Sequence, residues 1–408
     1  MVETHTFFLH LLIILLSARI LAELVARLKA PPVIGELLAG IILGPSLLGW
    51  IAPEHSLMLL AEIGVILLLF EVGLDTDVNR LMRTGVQSLT VALAGFALPL
   101  LLGFGLAYWI FDLPLLVSLF IGGTLTATSI GITIRVLSDL QRQNTPEGQV
   151  VLGAAVVDDV LGVILLAVLY EYSIGSGVSL VATLEVLVFV CAFFVIAPTL
   201  AKLMAVVIER FEAISLIPGL IPTMVIALVL LFAWLAHVAG APELLGGFVA
   251  GLALSRRFFL PLGKRRGQYN NEGFAQRVED RLTPIAQLFT PIFFVMVGLS
   301  LNLREIDWSS SFVWVFSAAL FLVAVGGKMI GSLLIHTSSR ARWAIGLAMT
   351  PRGEVGLIFA ELGRVNGVFN NEIYAVMVIV IALTTLLPPF ALKWHYSQVP
   401  LEVSQASS

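Results

Sequence analysis

Apolar segments of membrane-spanning length recur along nearly the whole 408-residue chain. Lipid offers the backbone no hydrogen-bonding partners, so runs of this kind must satisfy their own N–H and C=O groups as helices. About 17–25 mostly apolar residues suffice for one crossing. Thirteen segments qualify, near 7–28, 32–50, 57–74, 86–111, 114–138, 148–173, 179–208, 217–240, 242–258, 283–301, 312–336, 341–365 and 371–394. The expected fold is therefore an all-α polytopic membrane protein. The first run lacks a basic leader and a cleavage site and reads as a retained helix.

Composition agrees. Charged residues make up 12% of the chain and apolar ones 59%, against roughly 25% charged in soluble domains. The net charge of -4 consequently says little about partners. The one cysteine, Cys191, lies in an apolar run and excludes a disulfide framework or a Cys-based metal site. Most connections are short; the polar, basic stretch 259–282 is expected to be a cytoplasmic loop. Eighteen lysines and arginines fall in odd-numbered connections, the span ends flanking them and the C-terminal segment, while only Arg304 and Arg364 fall in or beside even ones. That bias places the N-terminus outside and the C-terminus in the cytoplasm.

Two stretches repeat in order. Glu36-Leu-Leu-Ala-Gly40 with Gly44 resembles Glu243-Leu-Leu-Gly-Gly247 with Gly251, and 67–81 resembles 293–306. Spans 1–6 and 8–13 then form two halves joined by span 7, and an odd linker inverts one half relative to the other. Inverted repeats with a site near the midplane characterise many secondary transporters. The small residues at Gly40/Gly44 and Gly247/Gly251 suit close helix packing.

The repeat directs attention to corresponding interruptions, TLTATSIGIT (124–133) and AMTPRGEVGL (348–357). Pro351 removes a backbone donor, and Gly131 and Gly353 loosen the helix. Broken backbone at membrane depth is tolerated only inside protein or along a wet cavity. The interrupted ends expose helix dipoles that Arg352 and Glu354 can neutralise. Thr126, Thr128 and Ser129 place hydroxyls at the first break.

Asp158 and Asp159 sit side by side about ten residues into span 6. Adjacent helical residues point about 100° apart, so one carboxylate can face a neighbouring helix and the other a cavity. Burial and mutual repulsion disfavour two charged carboxylates, and a nearby cation favours them. Lys328, in the span of the second half equivalent to span 4, is a natural partner. Such a cluster lets protons and a small cation compete for one site. Glu71, near a cytoplasmic end, reads as interfacial; Glu62 is placed to face a funnel; His237 reads as a packing residue.

The motifs PPVIGELLAGIILGPSLLG, LLLFEVGLD, TATSIGIT, GAAVVDDVLGVILLAV, GGKMIG and PRGEVGLI together resemble bacterial sodium/proton antiporters of the monovalent cation/proton antiporter superfamily, nearest the NapA-like branch. The resemblance runs over essentially the whole chain. It implies two crossing broken helices and a homodimer. Residues 1–84 and 211–310 would form the dimerisation domain, 85–174 and 311–396 the mobile core, 175–210 a linker helix and 397–408 a cytoplasmic tail. It implies Asp159 as the main ion- and proton-binding carboxylate, and Asp158 paired with Lys328 when the site is empty. Thr128 and Ser129 would add oxygen ligands, so that Asp159, Asp158 and Thr128 surround the cation.

The implied activity is electrogenic exchange of Na+, or Li+, for H+ by alternating access in the bacterial inner membrane. No tightly bound cofactor and no nucleic acid is expected, only the transported ions and membrane lipid. Related potassium-efflux systems tend to replace the first aspartate, which is retained here as Asp158, and usually carry a nucleotide-binding domain, which is not expected here. Potassium/proton exchange and ion-coupled symport of an organic solute are the alternatives. No enzyme motif is found: there is no HExxH, no phosphate-binding loop, and no nucleophile with a histidine partner.

Overall fold

The computed structural model describes residues 4–28, 30–76, 83–173, 180–214, 220–255 and 271–397. Every regular element among them is helical: a π-helical turn at Leu106–Ile110, a 3-10 turn at Leu303–Glu305, and α-helices. In chain order these are α1 (Thr4–Arg27), α2 (Pro32–Leu43), α3 (His55–Asp75), α4 (Gly85–Gly105), α5 (Leu115–Thr124), α6 (Ile130–Asp139), α7 (Pro146–Ser173), α8 (Leu180–Ile214), α9 (Leu220–Val238), α10 (Glu243–Leu254), α11 (Asn271–Leu299), α12 (Ser311–Leu333), α13 (Ser339–Ala348), α14 (Glu354–Val365) and α15 (Asn371–Ser397). Among the described residues, eight helices are long and apolar enough to cross a membrane, and α2, α5 and α10 are shorter apolar helices.

Local chemistry sets the ends. Pro31 and Pro242 immediately precede α2 and α10, where a missing N–H costs nothing. The second expected span stops at Leu43 rather than near 50, because Gly44-Pro45 cannot continue the helix. The chain then turns through Gly49 at φ +66°, and Ser46 Oγ accepts a bond from Leu303 N at 3.1 Å. Ser310 and Ser338 cap α12 and α13 through their hydroxyls.

The polar stretch expected as a loop over 259–282 is helical from Asn271 onward; residues 259–270 lie outside the described residues, as does the tail from 398. Phe274, Ala275, Val278 and Leu282 are buried, while Gln276 bonds Asp280 one turn on at 3.0 Å. Arg277, Asp280 and Arg281 lie on the outer face of an amphipathic helix, a pattern with helical period.

The helices pack in two groups. The first contains α1, α2, α3, α8, α9, α10 and α11, with α3 packed on α10 and α11, and α2 on α1 and α11. In the second, α4 packs on α12 and α7, α12 on α13 and α15, and α5 on α14. Contacts between α6 and both α2 and α3 join the groups.

A repeat is visible in the contacts, in a register other than the expected one. A Cβ on Gly40 would strike the Val295 carbonyl of α11, and one on Gly251 the Phe70 carbonyl of α3. Gly298 meets the Leu37 carbonyl just as Gly73 meets that of Phe248, and Gly35 lies against α1 as Gly246 lies against α9. Gly40 therefore corresponds to Gly251, not Gly247, and Glu36 to Gly247, not Glu243. The matching letters Glu-Leu-Leu suggest a register one helical turn away. Positions four apart share a face, so the apolar pattern alone does not separate the two.

Candidate functional site

The fifth expected span is two half-helices, α5 and α6, and the twelfth is α13 and α14. The connecting pieces, 125–129 and 349–353, meet: Ser129 N donates to Pro351 O at 2.8 Å. Thr128 Oγ1 donates to Met349 O at 3.0 Å, and Thr133 Oγ1 to Ala348 O at 2.8 Å. Each break is thus hydrogen-bonded by the other.

The two breaks have different local causes. Hydroxyls make the first: Thr126 Oγ1 donates back to Gly123 O at 2.7 Å, and Ser129 Oγ accepts from Ile132 N at 3.5 Å as the cap of α6. Pro351 and the extended Gly353, which precedes α14, make the second. A side chain on Gly353 would press on Ser129, so glycine lets the segments touch.

Arg352 is wholly buried. Its guanidinium donates to Thr350 O at 2.9 Å, to Met349 O at 3.4 Å and to Leu125 O. These carbonyls lie at the C-terminal ends of α13 and α5, where partial negative charge accumulates. One cation therefore serves both opposed ends, and the five-donor fork of arginine suits that task. The Arg352 carbonyl in turn accepts from Thr385 Oγ1 on α15. Glu354 is the first residue of α14; its side chain lies outside the described residues.

Asp158 and Asp159 fall within α7, which packs against all four half-helices. Lys328 Nζ donates to Asp158 Oδ2 at 2.9 Å, and neither side chain is exposed at all. The other Asp158 oxygen has no hydrogen-bond partner. Asp159 is 5% exposed, slightly more than the 1% of Asp158. Thr126, Thr128 and Ser129 are buried beside the crossing. Among the described residues, no three His, Cys, Asp or Glu side chains cluster as a multivalent metal site would require.

Sequence reasoning missed Thr133 and Thr385; a hydroxyl inside an apolar helix was the available signal. Glu71 lines a cavity of about 410 Å³ with Arg19, Asp75, Arg135, Asp139 and Glu279, whereas Glu62 is exposed. His237 is not a packing residue: it is exposed and pairs with Glu243 at 2.6 Å.

A helical membrane protein with a carboxylate–lysine pair buried beside two mutually bonded broken helices is built as an ion-coupled transporter. The chain belongs to the family described as "Sodium/hydrogen exchanger, transmembrane", whose profile it matches over residues 12–396. It is a transporter and not an enzyme. It is 31% identical to the high-affinity Na+/H+ antiporter NhaS3 of Synechocystis, covering 93% of this chain and 88% of that one. It is 33% identical to the Na+/H+-K+ antiporter GerN of Bacillus cereus, covering 96% of each. The sodium/proton antiporter MjNhaP1 of Methanocaldococcus jannaschii shares the fold with a TM-score of 0.71, at 19% identity, over 100% of this chain and 99% of that one.

Proposed function

We propose that this multi-pass membrane protein exchanges sodium, and lithium, for protons, with Asp159 as the carboxylate that both cargoes use. The observation that carries the reading is the buried Asp158–Lys328 pair at 2.9 Å, adjacent in sequence to Asp159, in a chain of the sodium/hydrogen exchanger family. A proton on Asp159 and a cation coordinated by it are mutually exclusive, which gives exchange rather than cotransport. Thr128 and Ser129 add oxygens, and Asp158 joins them when Lys328 releases it. The second proton of an electrogenic cycle leaves from Asp158 or Lys328.

Arg352 keeps the half-helix ends from competing with the carboxylates for the cation, since it already occupies the Leu125, Met349 and Thr350 carbonyls. The thirteen-span inverted repeat, with residues 85–174 and 311–396 as a core moving against 1–84 and 211–310 of a homodimer, is supported by the two helix groups and their repeated glycine contacts. The protein lies in the bacterial inner membrane with its C-terminus in the cytoplasm, as the basic-residue bias argues. The energy source is the inward proton gradient.

The test is cation-dependent proton flux in proteoliposomes with sodium, lithium, potassium and choline. Potassium is included because GerN carries it in its name. Flux with sodium or lithium, absent in a folded Asp159→Asn variant, is the expected result. Flux with potassium alone makes the protein a potassium/proton exchanger, and no flux with any cation over a range of pH removes the antiport reading.

A further inference from the structure

Glu36 is buried in the first turns of α2, 1% exposed, with no acidic counterpart in the second half, where the equivalent position is Gly247. Its partner is Arg135 of α6, with Nη2 3.6 Å from Glu36 Oε1. Arg135 also faces Asp139, one turn along α6, with Nε 3.4 Å from Oδ1. Taking the caps Ser129 and Gly353 as equivalent, the position matching Arg135 in α14 is the apolar, buried Phe359. This charge pair therefore exists in one half only.

The pair has two unusual properties. It spans the two helix groups: α2 belongs to the group of α1 and α11, and α6 leads directly from the Ser129 cap at the crossing. It is also loose. Glu36 Oε2 and Arg135 Nε are buried without a hydrogen-bond partner, and both ion contacts are longer than the 2.9 Å of Lys328–Asp158. A buried pair that holds a fold together needs good geometry and further hydrogen bonds to offset desolvation. This one has neither. Arg135 also borders the 410 Å³ cavity, whose wall carries Glu71, Asp75 and Glu279 from α3 and α11 together with Arg19 of α1. Space and alternative acidic partners thus lie on the side toward which the guanidinium can swing.

We infer that Arg135 is a positioning residue for transport: its contact with Glu36 latches α6 to the other helix group in one facing state and breaks each time the groups shift. The inference rests on the alternating-access reading above. Because the second half has Gly247 and Phe359 at the matching positions, the latch biases one side of the cycle and not the other.

The test uses Glu36→Cys/Arg135→Cys in a Cys191→Ser background, reconstituted and treated with a short, reducible bifunctional methanethiosulfonate. A latch that opens in every cycle predicts that cross-linking lowers sodium-dependent proton flux about tenfold or more and that reduction restores it. Unchanged flux in cross-linked protein shows a contact that never opens and overturns the inference. Flux before cross-linking reports on antiport itself, so the two failures are distinct.

Should the double-cysteine protein be inactive before treatment, Arg135→Glu and Glu36→Arg/Arg135→Glu decide the matter. The single reversal should lose about nine-tenths of the flux and the swap regain at least about a third of it. A swap as inactive as the single reversal, in protein that elutes as folded, overturns the latch.

Discussion

Removing the Lys328 charge leaves Asp158 stranded, and the structure sets the size of the effect. The two side chains are fully buried and 2.9 Å apart, and the second Asp158 oxygen has no hydrogen-bond partner to fall back on. Losing one member of such a pair costs about 3–5 kcal/mol, because the remaining charge stays desolvated. Lys328→Met keeps the apolar stem and isolates the charge; Lys328→Ala adds a cavity. For soluble domains of 150–250 residues each kcal/mol moves Tm by about 2–4 °C, and less in longer chains. Taking about 1–2 °C per kcal/mol for this chain, Lys328→Met should unfold about 3–10 °C lower, and Lys328→Ala lower still. The assay is thermal unfolding in detergent followed by intrinsic fluorescence. Asp158→Asn added to Lys328→Met should recover most of the loss, because a neutral pair leaves no buried charge. An unchanged Tm in the single variants, or deficits that simply add in the double variant, would refute this account of the pair.

Arg352→Gln should lower folded yield sharply, since charge-assisted bonds of about 1.5–3 kcal/mol each are lost at two helix ends; Arg352→Lys should not rescue it, and size-exclusion profiles would read both. A Lys variant that behaves as wild type would show that charge alone suffices. Gly40→Ala should destabilise, because its Cβ would strike the α11 backbone, whereas Gly326→Ala meets nothing within 4 Å and should be neutral or stabilising by up to about 1 kcal/mol. Equal melting points for the two would discredit the close-packing argument. Thr128→Val removes the bond to Met349 O and one candidate cation ligand. It should raise the sodium concentration for half-maximal flux several-fold while costing about 1 kcal/mol of stability, and an unchanged sodium dependence would remove Thr128 from the site.

Much of the candidate site was legible in the sequence. Paired aspartates, a lysine and two interruptions inside apolar runs are expensive in lipid, so their presence had to be explained by chemistry rather than packing. The partnership of Asp158 with Lys328 followed because few buried cations were on offer. Glu36 was different. Its motif marked it as one letter of a repeat, and nothing local indicated that it would meet Arg135, a residue 99 positions away in the sequence. Thr133 and Thr385 were hidden for the same reason, as hydroxyls inside helices usually bond back to their own turn.

The sequence by itself determined that this chain is a bundle of apolar membrane helices, where two of the expected spans break, and which charges fall inside apolar runs. Each of these is a local consequence of what lipid does to unsatisfied backbone and to charge. Only the tertiary structure decided the register of the repeat, because positions one turn apart share a helix face and only backbone contact between glycines tells them apart. It also decided that one arginine closes both broken helices, that Glu71 lines a cavity, and that a loose charge pair joins the two helix groups. Those are properties of distances between residues far apart in the chain, which hydropathy and spacing do not encode.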